Sequence, residues 1–61
     1  MTLERLKEIM GPNCDQACES RTSFAIEGGV DAHQLGILLS EGLKEIDMGL
    51  DCVIARFEDA A

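Results

Sequence analysis

Aromatic residues are nearly absent from this chain, which contains two phenylalanines and neither tryptophan nor tyrosine. A hydrophobic core must therefore be built from aliphatic side chains. Apolar residues make up 46% of the sequence, which is too many for a disordered tail. With 61 residues, the chain is expected to form one small domain over residues 1–61, below the size at which a single core is comfortably stable.

Basic residues are also few, with five Lys and Arg against twelve Asp and Glu and a formal net charge of −7. No basic patch is available to neutralise phosphates, so direct binding to nucleic acid or to an anionic membrane surface is not expected. No apolar run approaches the ~20 residues of a transmembrane helix. The early acidic residues Glu4 and Glu8 do not fit a signal peptide.

Three cysteines are an odd number, which favours a reducing, cytoplasmic compartment over a disulfide framework. Three thiols and one imidazole could complete a tetrahedral zinc site, and the candidates are Cys14, Cys18, His33 and Cys52. On one continuous helix, however, His33 and Cys52 would lie about 28 Å apart, so a site would have to be shared across a dimer. We therefore expect no metal and no cofactor, and interpret the cysteines as small apolar residues.

The first expected element is a short helix, Leu3–Met10, which Thr2 can cap. Gly11-Pro12 should end it, because glycine supplies a left-handed cap and proline cannot continue the helix.

A second helix is expected to begin after Asn13 and to run to about Glu27. Within it, the run Arg-Thr-Ser-Phe-Ala-Ile would also suit a strand. No partner strand with a period of two is evident, so the helix is preferred. The Gly28-Gly29 pair then marks a turn.

The dominant expected element is one long amphipathic helix over Asp31–Asp59, about 40 Å in length. Asp31 and Gln34 have the spacing of a capping box, and Arg56 would suit the last turn. A narrow apolar stripe with spacings of four and three is typical of a helix packed on another helix, and it consists of Leu39, Leu43, Ile46, Leu50, Val53 and Phe57.

Three glycines interrupt this expected helix at positions 36, 42 and 49. Each costs about 1 kcal/mol relative to alanine in a helix interior. These glycines indicate either a close helix–helix contact or a marginally stable helix that accepts glycine without a packing role.

These elements predict an all-α fold, in which the three helices form a broken antiparallel hairpin. Because one hairpin cannot cover the stripe, two copies should associate, most simply as a homodimeric four-helix bundle. The six stripe residues are then the expected self-association surface.

The sequence contains no arrangement that implies catalysis, since His33 stands alone and no serine has an evident partner base. We therefore expect a non-enzymatic adaptor, regulator or inhibitor that binds another protein. The apolar residues beside the stripe are its candidate contacts, namely Leu38, Met48 and Ile54. An acidic surface that mimics nucleic acid and inhibits a DNA- or RNA-binding protein is the alternative.

Overall fold

The computed structural model describes residues 1–58, in which the order helix–strand–strand occurs twice. The elements are α1 (Leu3–Met10), β1 (Cys14–Gln16), β2 (Ser23–Glu27), α2 (Ala32–Ser40), β3 (Leu43–Met48) and β4 (Cys52–Phe57). The strands form one antiparallel sheet in the order β1-β2-β4-β3. The expected all-α fold, with its helical hairpin and bundle, is therefore wrong. The protein is a small mixed α/β domain.

Helix α1 has the bounds that the sequence predicted. The Arg5 backbone N–H donates to Oγ1 of Thr2 at 3.2 Å, which satisfies one of the free amides of the first turn. At the other end, Gly11 has φ 97° and ψ −174°, a conformation that is essentially restricted to glycine. The helix buries Leu6 against the sheet.

The expected second helix is wrong, because its residues form β1, a loop over residues 17–22 and β2. The strand alternative, given for residues 21–26, was correct for residues 23–26, and β2 extends one residue further to Glu27. The partner that the sequence did not reveal is β4, which lies directly beside β2 and pairs Phe24 with Ala55. Residues distant in sequence thus provide the hydrogen bonds that make this segment a strand.

The expected long helix begins as predicted, with a complete capping box between Asp31 and Gln34. The Gln34 N–H donates to Asp31 Oδ1 at 2.8 Å, and the Asp31 N–H donates to Gln34 Oε1 at 3.1 Å. The helix then ends at Ser40 instead of continuing to Asp59, which lies outside the described residues. Gly42 has φ 98°, a value that no helix accommodates, and the chain turns there into β3.

The expected helical stripe therefore does not exist, and its residues are divided among α2, β3, the β3–β4 turn and β4. Leu39 on α2 and Leu50 in the β3–β4 turn are exposed, at 58% and 105% of their full accessible areas. Leu43 and Ile46 on β3 are partly buried. The remaining two, on β4, are Val53 and Phe57, and both are in the core.

The core lies between the two helices and one face of the sheet. Leu6 of α1 and Leu38 of α2 pack against inward-facing strand residues, which are Cys14, Phe24, Ile26, Val53, Ala55 and Phe57. The rings of Phe24 and Phe57 meet edge to face, with centroids 5.8 Å apart and an interplanar angle of 73°. Neither helix in the described part of the chain is long and apolar enough to cross a membrane.

Candidate functional site

The candidate site is the face of the sheet opposite the helices. Successive residues of a strand point to alternate faces, so the burial of Phe24 and Ile26 places Ala25 on the opposite side. No described element packs over that side in residues 1–58. We call this surface the open face and define it by Asp15, Ala25, Glu27, Glu45, Asp47, Cys52, Ile54 and Arg56.

Strand register fixes the arrangement of the open face. One row of in-register neighbours crosses all four strands, in the order Asp15, Ala25, Ile54 and Asp47. Its two apolar members belong to the central strands and are only half buried, whereas its two carboxylates belong to the edge strands and are exposed. The row therefore has an apolar centre with an acidic residue on either side.

The neighbouring row towards the β3–β4 turn pairs Glu27 with Cys52. Glu27 is exposed and Cys52 is half buried. This row adds a small apolar side chain to the centre and a third carboxylate to the border.

The row on the other side contains Arg56, which is surrounded by carboxylates. Its Nε and Nη2 donate to both oxygens of Glu19 at 2.7 and 3.0 Å, and Nη1 donates to Glu45 Oε1 at 3.0 Å. Asp47 Oδ2 lies 3.8 Å from Nη2. The hydrogen bond from Arg56, opposed by partial burial, holds the pKa of Glu19 below its ordinary value of 4.5. The same contacts raise the pKa of Arg56.

The loop of residues 17–22 folds back beside Arg56. The side-chain amide of Gln16 donates to the carbonyl oxygens of Ser20, Arg21 and Ser23 at 3.1, 3.1 and 2.8 Å. The hydroxyls of Ser20 and Ser23 are 2.8 Å apart, and Ser23 is buried. An open cavity of about 250 Å³ results, lined by Glu19, Ser20, Thr22, Ser23, Lys44, Glu45, Arg56 and Phe57.

The lining of this cavity combines hydroxyl, carboxylate and cationic side chains. It holds three hydroxyl groups but neither a histidine nor a cysteine, and its carboxylates Glu19 and Glu45 both bind Arg56. A hydroxyl nucleophile needs a free base within hydrogen-bond distance. In this cavity the two carboxylates are paired with Arg56, and the hydroxyls of Ser20, Thr22 and Ser23 are hydrogen-bonded to one another.

The structure separates the candidate metal ligands. Cys14 points into the core and donates its thiol to the Gly11 carbonyl at 3.6 Å, and burial raises its pKa. Cys52 lies on the open face, on the other side of the sheet, while Cys18 is exposed in the 17–22 loop. His33 is exposed in the first turn of α2. Among residues 1–58, no three His, Cys, Asp or Glu side chains are grouped so that they could hold a metal ion.

Of the three residues expected to contact a partner, one lies on the open face. Ile54 is at its centre. Met48 is 65% exposed at the sheet edge but belongs to an inward-facing row, in register with Val53. Leu38 is completely buried in the core and is not accessible to a partner.

Sequence reasoning did not place together the residues that give the open face its character, which are Asp15, Ala25, Glu27, Asp47 and Cys52. The available sequence signal was the short apolar run Cys-Val-Ile-Ala at the start of β4, which is consistent with a strand but does not show which side chains share a face. In that segment, every second residue is buried and the others are half buried.

Comparison with known proteins found no matching family model, no matching curated sequence and no matching solved structure. Function is therefore inferred from the residues of the open face themselves.

Proposed function

We propose that this protein acts by binding another protein through the open face, as an adaptor, regulator or inhibitor rather than as an enzyme. The observation that supports the proposal is the uncovered row through Ala25 and Ile54, in which apolar side chains occupy the centre of a sheet with carboxylates on both sides. Protein interfaces commonly have this plan of an apolar centre and a polar rim.

The small apolar area of the open face indicates a modest binding affinity. Full burial of an isoleucine side chain stabilises a contact by about 1.5–3 kcal/mol, and Ile54 retains only part of its exposed area. Ala25 and Cys52 are small. A contact over this centre is therefore weak unless the surrounding charges contribute, which suits a reversible regulatory interaction.

An acidic mimic of nucleic acid is the second candidate, supported by the carboxylates that border the open face. Such a mimic would bind a basic groove chiefly through charge, so the apolar centre would contribute little. In either case a reducing, cytoplasmic compartment belongs to the proposal, because all three cysteines are free thiols.

Affinity capture with paired variants tests the proposal. Ile54→Glu places a charge at the centre of the open face, and Leu50→Glu places the same charge on a fully exposed turn residue. We expect the wild type and the Leu50 variant to retain the same protein from a lysate and the Ile54 variant to lose it. Amide NMR spectra of both variants would establish that the fold is intact.

The outcome has three readings. Loss of capture with Ile54→Glu alone supports docking on the apolar centre. Capture that survives Ile54→Glu but disappears when Asp15, Glu27 and Asp47 are neutralised supports the mimic. Equal capture by all variants would show that the open face is not the binding surface.

A further inference from the structure

We infer that the occupant of the open face is a cationic amphipathic helix of another protein. This inference rests on the proposed function and specifies the chemistry of the partner. It follows from the width of the apolar centre, the sign of the charges around it and the composition of this chain's own helices.

The width of the open face fits one helix. Asp15 and Asp47 lie in one row on the two edge strands. They are separated by three strand spacings of about 4.8 Å, or roughly 14 Å. A helix with its side chains is about 10–12 Å across. It can rest its apolar stripe on Ala25 and Ile54 and extend side chains to a carboxylate on either side.

The charges require those side chains to be cationic. Asp15, Glu27 and Asp47 surround the apolar centre on the side away from the cavity. Arg56, on the cavity side, is shared among Glu19, Glu45 and Asp47. Since one guanidinium neutralises only one of these three carboxylates, the charge around the apolar centre remains negative, and Lys or Arg on both flanks of a docking helix would be complementary to it.

A second copy of this chain does not meet these requirements. Helix α1 carries two acidic and two basic residues, and α2 contains neither Lys nor Arg. Two open faces placed against each other would oppose carboxylates to carboxylates, which is unfavourable. The sequence-based expectation of a homodimer thus becomes a competing outcome of the test.

The test uses a synthetic amphipathic helix of about 18 residues made of Leu and Lys, with a scrambled peptide of the same composition as control. Amide NMR titration of the full chain should show shifts concentrated in β2 and β4 and on the outward-facing residues of the edge strands. Affinity should fall by about tenfold as ionic strength rises from about 0.02 to 0.3 M, since exposed charge pairs are screened. The scrambled peptide, which lacks a continuous apolar stripe, should bind about tenfold more weakly.

Matched variants separate a specific contact from attraction to any acidic protein. Asp15→Asn with Asp47→Asn removes two charges from the flanks of the apolar centre. Glu4→Gln with Glu8→Gln removes two charges from α1, on the covered side of the sheet. We expect the substitutions at Asp15 and Asp47 to weaken peptide binding by about fivefold and those at Glu4 and Glu8 by less than about twofold. Each exposed ion pair contributes little, but the two carboxylates beside the docked peptide would contribute jointly to its binding.

Three results would overturn the inference. They are equal effects of the two variant pairs, shifts centred on the helices, and sedimentation showing a dimer that Ile54→Glu dissociates. If capture from a lysate is abolished by Ile54→Glu yet unchanged by added salt and by the Asp15 and Asp47 substitutions, the proposed function stands and the cationic helix is wrong. If peptide binding follows the expected pattern but Ile54→Glu does not reduce capture from a lysate, the open face binds a cationic helix and the proposed function fails.

Discussion

The guanidinium of Arg56 on β4 donates two hydrogen bonds to the carboxylate of Glu19, from Nε to Oε1 at 2.7 Å and from Nη2 to Oε2 at 3.0 Å. The contact connects a central strand to the 17–22 loop. Two parallel hydrogen bonds between arginine and a carboxylate fix geometry as well as contribute energy. Arg56 thereby positions one wall of the cavity at the end of the open face.

The contact between Arg56 and Glu19 makes stability depend on pH in a defined direction. The hydrogen bond lowers the pKa of Glu19 in the folded state. The contact therefore contributes fully to the free energy of unfolding above the pKa of the unfolded chain, near 4.5. That contribution is lost as pH falls through the lower pKa of the folded state. Replacing Arg56 by Gln should return the Glu19 pKa towards 4.5. Carboxyl-detected NMR titration of both proteins measures this.

Glu41 provides the internal control for that titration. Its pKa is lowered by a hydrogen bond from Arg5, whose Nη2 lies 3.0 Å from Glu41 Oε2. This pair is on the helix side of the molecule and does not involve Arg56. Its pKa should therefore remain low in Arg56→Gln, and an equal rise at both carboxyls would indicate a general loss of structure instead.

Two glycine substitutions should change stability in opposite directions. Gly11→Ala places a Cβ on a residue with φ 97° and ψ −174° and should destabilise the protein by about 1–3 kcal/mol. Gly36→Ala lies in α2, where an added Cβ meets nothing within 4 Å, and should stabilise it by about 0.5–1 kcal/mol. Urea denaturation of both variants is the measurement. A stabilising Gly11→Ala would contradict this description of the end of α1.

Removal of an aromatic ring from the core should unfold the protein. Phe24 is fully buried and its ring packs on Phe57. A Phe→Ala change in a core costs about 3–5 kcal/mol, which rivals the total stability of about 3–9 kcal/mol expected for a domain of this size. Phe24→Ala should therefore lose the cooperative thermal transition in circular dichroism. Leu50→Ala, at a fully exposed position, should melt close to the wild type.

The three thiols should react with an alkylating reagent in the order of their exposure. Cys18 is exposed and should be modified first, Cys52 is half buried and should follow, and Cys14 is buried with a raised pKa. Because the thiolate is the reactive form, Cys14 should be protected until the protein unfolds. Mass spectrometry of quenched time points measures the order. Early modification of Cys14 in native protein would contradict its placement in the core.

Local signals in the sequence were sufficient for the beginnings of both helices. Thr2, Asp31 and Gln34 act within one turn of the chain, and each makes the hydrogen bond that its position predicted. The end of α1 at Gly11 is likewise decided by neighbouring residues. These features depend on backbone geometry that is independent of the rest of the fold.

The remainder of the fold depends on pairings between distant residues. Leu43 and Ile46 have a spacing that suits a helix, but a bulge between Leu43 and Glu45 on β3 produces the same spacing along one face of a strand. Gly42 was interpreted as a residue inside a helix, whereas its positive φ ends one. Without the pairing of β2 with β4, the strand alternative for residues 21–26 lacked a partner, and the open face could not be inferred.

The order of the strands has a consequence for the path by which this chain folds. The β1–β2 and β3–β4 hairpins each close over a short loop, whereas the central pair β2–β4 joins opposite halves of the sequence across Gly28-Gly29. Local hairpins form in microseconds, and a pairing between distant segments must also overcome the entropy of closing the longer loop. We expect docking of the two halves to be the slow step. Lengthening the segment that joins β2 to α2 should therefore slow refolding more than lengthening the turn between β3 and β4.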